Sequence, residues 1–345
     1  MEKIAFIIGE SLIYWSPVIL TIAAFAAACM FLALHIGVCG KTTGAFLTLP
    51  LAAALAMVLG RLVHWYCQPD AYGSFTAAMT DHSAGSYALA GVFAGCVLAA
   101  CAMRLVGLVR NLPQTLDCMA LAGCLGIGVG RLSFLFNSFD RGMVVRSIKT
   151  LPLVYPVTDA VSGGVEYRLA TFMLQAIVAI TLFAVLTVFF LLTREKGNWG
   201  DTCLLFLLLY GASQIVLDST RYDSLFLRSI GFVSLEQLLG AVGMVLAVVQ
   251  FSVRLVRSRG WKWWYITFWV GIGGLLTVAG FMEYLVRRHG NEAARFYHIM
   301  TACLAASVII TVVIRCVSHR YSKECLLFGD KQKRAGKMEE KHWGE

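Results

Sequence analysis

The run Leu169–Thr193, LATFMLQAIVAITLFAVLTVFFLLT, is 25 residues long and contains no charged side chain. A hydrocarbon core about 30 Å thick needs roughly 20 apolar residues to be crossed by a helix. A run this long and this uniform therefore reads as a membrane span. Similar runs lie on both sides of it. Upstream are Pro17–Val38, Gly44–Tyr66, Ser86–Val109 and Gln114–Phe136; downstream are Thr202–Leu217, Ile230–Val256, Trp263–Val286 and Phe296–Val317. Together they predict an all-α, polytopic transmembrane helix bundle of about nine spans, of which Thr202–Leu217 is the shortest.

Composition leads to the same class. Of 345 residues, 59% are hydrophobic and 14% charged, whereas soluble chains carry about 25% charged residues. The formal charge is +9. Most Lys and Arg lie between the apolar runs, which speaks for orientation and lipid-headgroup contact and against nucleic acid as a partner. The chain has eleven Cys. Seven of them (Cys29, Cys96, Cys101, Cys118, Cys124, Cys203 and Cys303) fall inside apolar runs, where Cys acts as a small hydrophobe. No CxxC pair with metal spacing occurs, so no metal site and no cofactor are expected. The first apolar run is too long for a cleaved signal peptide, and a second follows at once.

Orientation follows from the cations in the loops. With the N-terminus outside, the inner loops hold Lys41, Arg104, Arg110, Arg194, Lys196, Arg254, Arg257, Arg259 and Lys262, and the outer loop Cys67–Gly85 holds no Lys or Arg. The expectation is N-out and C-in. The longest connection, Asn137–Arg168, contains Pro152, Pro156 and the pair Gly163-Gly164. It is too long for a simple turn and is expected to fold on one face of the membrane. Residues 321–345 form a polar, Lys-rich tail that is expected to lack structure. The domain reading is thus a core over 1–256, an additional helix pair over 257–320 and the tail.

Ionisable residues inside membrane spans cost about 2.5–3.5 kcal/mol each on insertion scales. Here they gather at one face. Arg61 and His64 end the second helix, Arg131 is near the outer end of the fourth, Arg168 opens the fifth, and Asp218 and Arg221 follow the sixth. Asp117 starts the fourth helix on the inner side. Several Arg at one depth suit a phosphate or another anionic headgroup, because a guanidinium grips phosphate oxygens bidentately. The competing explanation is that each Arg snorkels to the nearest interface. Gly126-x-Gly128-x-Gly130 is small-residue spacing for close helix packing, not a dinucleotide fingerprint, since no strand precedes it.

The stretch Gly128–Gly142, GVGRLSFLFNSFDRG, resembles the signature of the prolipoprotein diacylglyceryl transferase family, roughly G-R-x-G-N-F-x-N-x-E-x-x-G. Asp117 also falls where the family has an Asp. Other segments agree in order. Ile13-Tyr-Trp15 resembles the family's start of helix one, and Gly60-Arg-Leu62 with Trp65-Tyr66 resembles its G-R-x-G-Y. Arg168–Ala176 occupies the place of R-H-P-S-Q-L-Y-E-A. Tyr210–Arg221 is similar to Y-G-A-x-R-x-x-x-E-x-x-R, and Ser234-Leu-Glu-Gln237 fits S-x-G-Q. These anchors span about residues 10 to 250. The departures concern chemistry. The His of the family's S-F-H-G-G becomes Ala88, Asn becomes Phe134, Glu becomes Phe139, His becomes Leu169, Tyr becomes Leu174, Glu becomes Gln175 and Arg becomes Gln214. The chain also has a helix pair beyond the family's usual seven spans.

The resemblance implies transfer of a diacylglyceryl group from phosphatidylglycerol, or a related anionic lipid, in the outer leaflet of a bacterial plasma membrane. The acceptor is the lipobox Cys thiol of a prolipoprotein signal segment. A thiol with a pKa near 8.5 needs a base or a positive field, and a departing phosphate needs cations. On this reading Arg61, Arg131, Arg168 and Arg221, with Asn137 as amide donor, bind the lipid phosphate. Asp117, Gly142 and Asp218 support them. His64 and His82 are candidate bases in place of the His lost at Ala88. The alternative is a non-catalytic homologue that binds an anionic lipid or a lipoprotein signal segment.

Overall fold

The structure is a computed structural model that describes residues 4–8, 11–40, 42–80, 87–137, 141–145, 153–158, 163–194, 199–227, 230–288 and 293–342, the last 24 of them as backbone alone. Its helices are α1 (Trp15–Cys39), α2 (Thr42–Cys67), α3 (Phe75–Thr80), α4 (Leu89–Leu105), α5 (Leu112–Arg131), α6 (Thr171–Thr193), α7 (Asp201–Ser219), α8 (Leu235–Arg259), α9 (Tyr265–Arg288) and α10 (Ala293–His342). Among the described residues eight helices are long and apolar enough to cross a membrane, and α4 is a shorter apolar helix. The chain is an all-α, multi-pass membrane protein. All ten cysteines whose side chains are described are free.

Three antiparallel hairpins accompany the helices: β1 (Ile4–Ile8) with β2 (Ser11–Tyr14), β3 (Val154–Thr158) with β4 (Val165–Leu169), and β5 (Phe226–Leu227) with β6 (Ile230–Ser234). They correct two helix starts. The fifth span was expected from Leu169 and the seventh from Ile230, but Val165–Leu169 and Ile230–Ser234 pair as strands, so α6 begins at Thr171 and α8 at Leu235. Arg168 therefore lies on β4 opposite Tyr155 and does not open a helix. An apolar run cannot by itself distinguish a strand from the first turn of the helix it leads into. The tail differs as well: α10 continues to His342 where the sequence reading expects no structure. Its Lys, Arg, Glu, Met and Ala are good helix formers, and they carry the helix on after the apolar part ends.

The chain divides into two compact units, Met1–Gly243 and Met244–Glu345. In the first, α1 packs on α5, α2 on α4, and α5 on α6 and α7. The glycines of α5 make these contacts close. A Cβ at Gly126 would stand 3.1 Å from Ala27 Cβ of α1, and one at Gly128 would stand 2.7 Å from Ile180 Cγ1 of α6. In the second unit α9 packs on α10.

Candidate functional site

Helices α1, α4, α6 and α8 begin, and α2, α5 and α7 end, at the same end of the first unit. Contacts across that end show it. Trp15 stacks on Phe136, the Ala88 N–H donates to the Gly60 carbonyl at 3.0 Å, and Gly142 and Val144 form antiparallel bridges to Arg221 and Arg168. The segment around Gly142 thus joins β4 to the end of α7. A side chain would not fit there. A Cβ at Gly142 would lie 2.5 Å from Thr171 Oγ1, 2.9 Å from Leu169 Cβ and 3.0 Å from the Thr220 carbonyl.

Two of the expected arginines meet at this end, through a residue the sequence reading passed over. Glu236, in the first turn of α8, reaches Arg131 Nη2 with Oε2 at 3.3 Å and Arg221 Nη1 with Oε1 at 3.5 Å. Arg221 also pairs with Asp218 at 3.0 Å and Asp223 at 3.3 Å. Ser234 Oγ donates to the second oxygen of Asp218. Two cations therefore share three carboxylates. Buried Tyr210 of α7 precedes Gly211, where α7 meets α8. The crossing of α7 with α8 makes the assembly possible. A Cβ at Gly211 would stand 2.5 Å from the Gly240 carbonyl, and one at Gly240 2.7 Å from the Gly211 carbonyl. Only hydrogen at both positions lets the backbones approach so closely.

Arg61 and His64 form a second group. Arg61 is buried, donates from Nε to the Ala78 carbonyl at 2.7 Å, and lies 4.7 Å from the Tyr72 ring and 5.4 Å from the Tyr87 ring. These are cation–π distances. His64 Nδ1 and Tyr72 Oη are 2.8 Å apart. Helix α4 borders both groups: Tyr87 precedes it on the Arg61 side, and its Phe93 packs edge-on against Tyr210.

The remaining expected residues go elsewhere. Arg168 pairs with Glu166 at 2.9 Å and lies over the Tyr222 ring at 4.6 Å. Asn137 donates from Nδ2 to Ser16 Oγ at 3.3 Å, tying the end of α5 to α1. Asp117 is at the opposite end, where Oδ2 accepts the Gly200 N–H at 2.6 Å and Oδ1 the Cys203 N–H at 2.8 Å. His82 lies outside the described residues. Arg141 was not anticipated. It is buried against Tyr155 and Phe172, with Nη2 donating to the Phe134 and Asn137 carbonyls. Its place beside Gly142 in the signature stretch was the one sequence signal for it.

Residues 3–253 match the profile of the prolipoprotein diacylglyceryl transferase family. The chain belongs to that family. No individually curated protein matches it. The matched segment contains both arginine groups and ends within α8, before α9 and α10.

Against the motifs of this transferase family, several departures acquire physical reasons. Gln175 and Gln214, which the resemblance sets at a Glu and an Arg of the motifs, meet in the structure: Gln175 Nε2 donates to Gln214 Oε1 at 2.9 Å, both residues buried. Two amides bonded to each other leave no charge buried alone. Ala88, which the resemblance sets at the motif's His, donates its N–H to Gly60, one helical turn from His64.

Proposed function

We propose that this protein transfers a diacylglyceryl group from phosphatidylglycerol to the lipobox Cys thiol of a prolipoprotein signal segment, at the outer leaflet of a bacterial plasma membrane, with its N-terminus outside and C-terminus inside. Family membership supports the reaction class. The observation that carries the reading for this chain is the Arg61–His64–Tyr72 group beside Gly60, whose carbonyl accepts the N–H of Ala88, the position to which the resemblance assigns the family's His.

In the proposed reaction the acceptor thiol gives its proton to His64. If His64 donates Nδ1–H to Tyr72 Oη, its Nε2 holds the lone pair that takes the proton. The Arg61 guanidinium favours the thiolate that remains. Sulfur then attacks the glyceryl carbon that bears the phosphate ester. The S–C thioether bond forms, the C–O bond breaks, and glycerol phosphate leaves with the electron pair. Arg131 and Arg221 face the charge that grows on the departing phosphate.

The test is transfer from phosphatidylglycerol to a lipobox peptide by the purified protein in detergent, with His64→Ala and His82→Ala beside it. Transfer is expected to be slow, and His64→Ala to lower it by about 10²–10⁴-fold, the usual cost of losing a positioned base. Robust turnover that survives both substitutions overturns the assignment of the base. One observation favours a second reading: the charges of Arg131 and Arg221 are met internally by three carboxylates. That suits a non-catalytic homologue that binds a lipid or a signal segment. Failure to complement loss of a cell's authentic transferase, with lipid binding intact, selects it.

A further inference from the structure

The geometry around Glu236 has a consequence for what the arginine pair can bind. Its two carboxylate oxygens contact two different guanidiniums, one from the end of α5 and one just beyond α7. A phosphate bridging Arg131 and Arg221 would present its oxygens in the same way. Carboxylate and phosphate therefore compete for one place. We infer that Glu236 is an internal anion that occupies the phosphate position between Arg131 and Arg221 and swings away when a phosphate-bearing headgroup enters. This rests on the reading above, in which that arginine pair faces the donor phosphate.

Three features separate Glu236 from an ordinary structural ion pair. Its contacts, at 3.3 and 3.5 Å, are long for charge-assisted bonds, which run at about 2.7–2.9 Å. Asp218 holds the same Arg221 at 3.0 Å. The Glu236 side chain is 13% exposed against 1% for Asp218, so it has room to move that Asp218 lacks; Asp223 is more exposed still, at 32%, but pairs with Arg221 and not with Arg131 among the described contacts. Finally, it stands in the first turn of α8, where the helix dipole favours an anion whether or not it touches an arginine. Release from the arginines thus costs less here than at a buried site. Asp218, fixed by Arg221 and Ser234, keeps Arg221 in position when Glu236 leaves.

A ligand that binds only the open arrangement has its affinity reduced by the fraction of time that arrangement is present. If Glu236 closes the pair about 90–99% of the time, removing its charge tightens phosphate binding by about ten- to a hundredfold. The shared chemistry is a phosphate ester, from a lipid headgroup or from the released glycerol phosphate. Separate arms distinguish the sources.

The experiment uses the full chain in detergent, titrated with inorganic phosphate, with glycerol phosphate, and with nanodiscs of phosphatidylglycerol or phosphatidylcholine. Glu236→Gln is expected to bind inorganic phosphate about ten- to a hundredfold more tightly than the wild type. A gain in the soluble arms alone assigns the position to released glycerol phosphate; a gain with phosphatidylglycerol nanodiscs as well assigns it to the lipid. Glu236→Asp, whose shorter arm cannot span both guanidiniums, is expected to fall between and serves if the Gln variant does not fold. Adding Arg131→Ala to Glu236→Gln should abolish the gain. Unchanged or weaker phosphate binding by folded Glu236→Gln overturns the inference, as does a gain that survives Arg131→Ala. Transfer activity on the same samples separates the two claims. Tighter phosphate binding with no transfer from any sample sustains the role of Glu236 and overturns the proposed reaction. Transfer with no change in phosphate affinity does the reverse.

Discussion

Replacing Asp117 by Ala should destabilise the protein without touching its chemistry. Asp117 is 1% exposed, in the second turn of α5, at the end of the unit opposite the arginine groups. The first turn of a helix leaves N–H groups without partners, and Gly200, the residue before α7, has no side chain to accept them. Gly200 holds φ at 91°, a left-handed conformation open to Gly, and this turns its N–H toward α5. The carboxylate of Asp117 accepts that N–H at 2.6 Å and the Cys203 N–H at 2.8 Å. A hydrogen bond to a charged group contributes about 1.5–3 kcal/mol, so Asp117→Ala should cost roughly 3–6 kcal/mol. Asp117→Asn keeps one acceptor and turns an NH₂ toward the other N–H, and should cost about half as much, on the order of 2–3 kcal/mol. Thermal and denaturant unfolding in detergent would rank wild type above Asn above Ala. Phosphate affinity of the folded fraction should stay at the wild-type value. An Ala variant as stable as the wild type, or a stable one that has lost transfer, would refute the capping role and return Asp117 to the functional site.

Three further outcomes are expected. Arg131→Ala should abolish phosphatidylglycerol binding while the protein stays inserted, and unchanged binding by the purified variant would sink the shared anion site. Gly142→Ala should lower stability by about 1–3 kcal/mol through overpacking, since its Cβ would press on Thr171, Leu169 and Thr220. It should also weaken phosphate binding, because the same segment holds the backbone of Arg221; a variant that binds as the wild type does would contradict this. A chain that stops before Trp261, and so lacks α9 and α10, should keep the transfer activity of the full chain when folded, because the family match ends at residue 253. Loss of activity from a well-folded truncation would place the helix pair in the site.

The sequence alone determined that the chain is a bundle of apolar helices and in what order they come, because a hydrocarbon core sets one length and one polarity for every crossing. It also determined that Arg61, His64, Arg131, Asp218 and Arg221 lie at one end, since each falls near a span terminus. The tertiary structure alone decided which charge of one helix meets which of another. Glu236 is 105 residues from Arg131, and the Gly200 N–H is 83 residues from Asp117. Those partners depend on how each helix is rotated about its axis and how closely its backbone approaches the next. Rotation by one residue turns a side chain by about 100°, and hydropathy is blind to it when a helix is apolar on nearly every side. Gly211 and Gly240 set the approach that lets Glu236 reach both arginines. In the sequence they are only two of 32 glycines, because a close crossing is a property of two backbones together and appears in neither one.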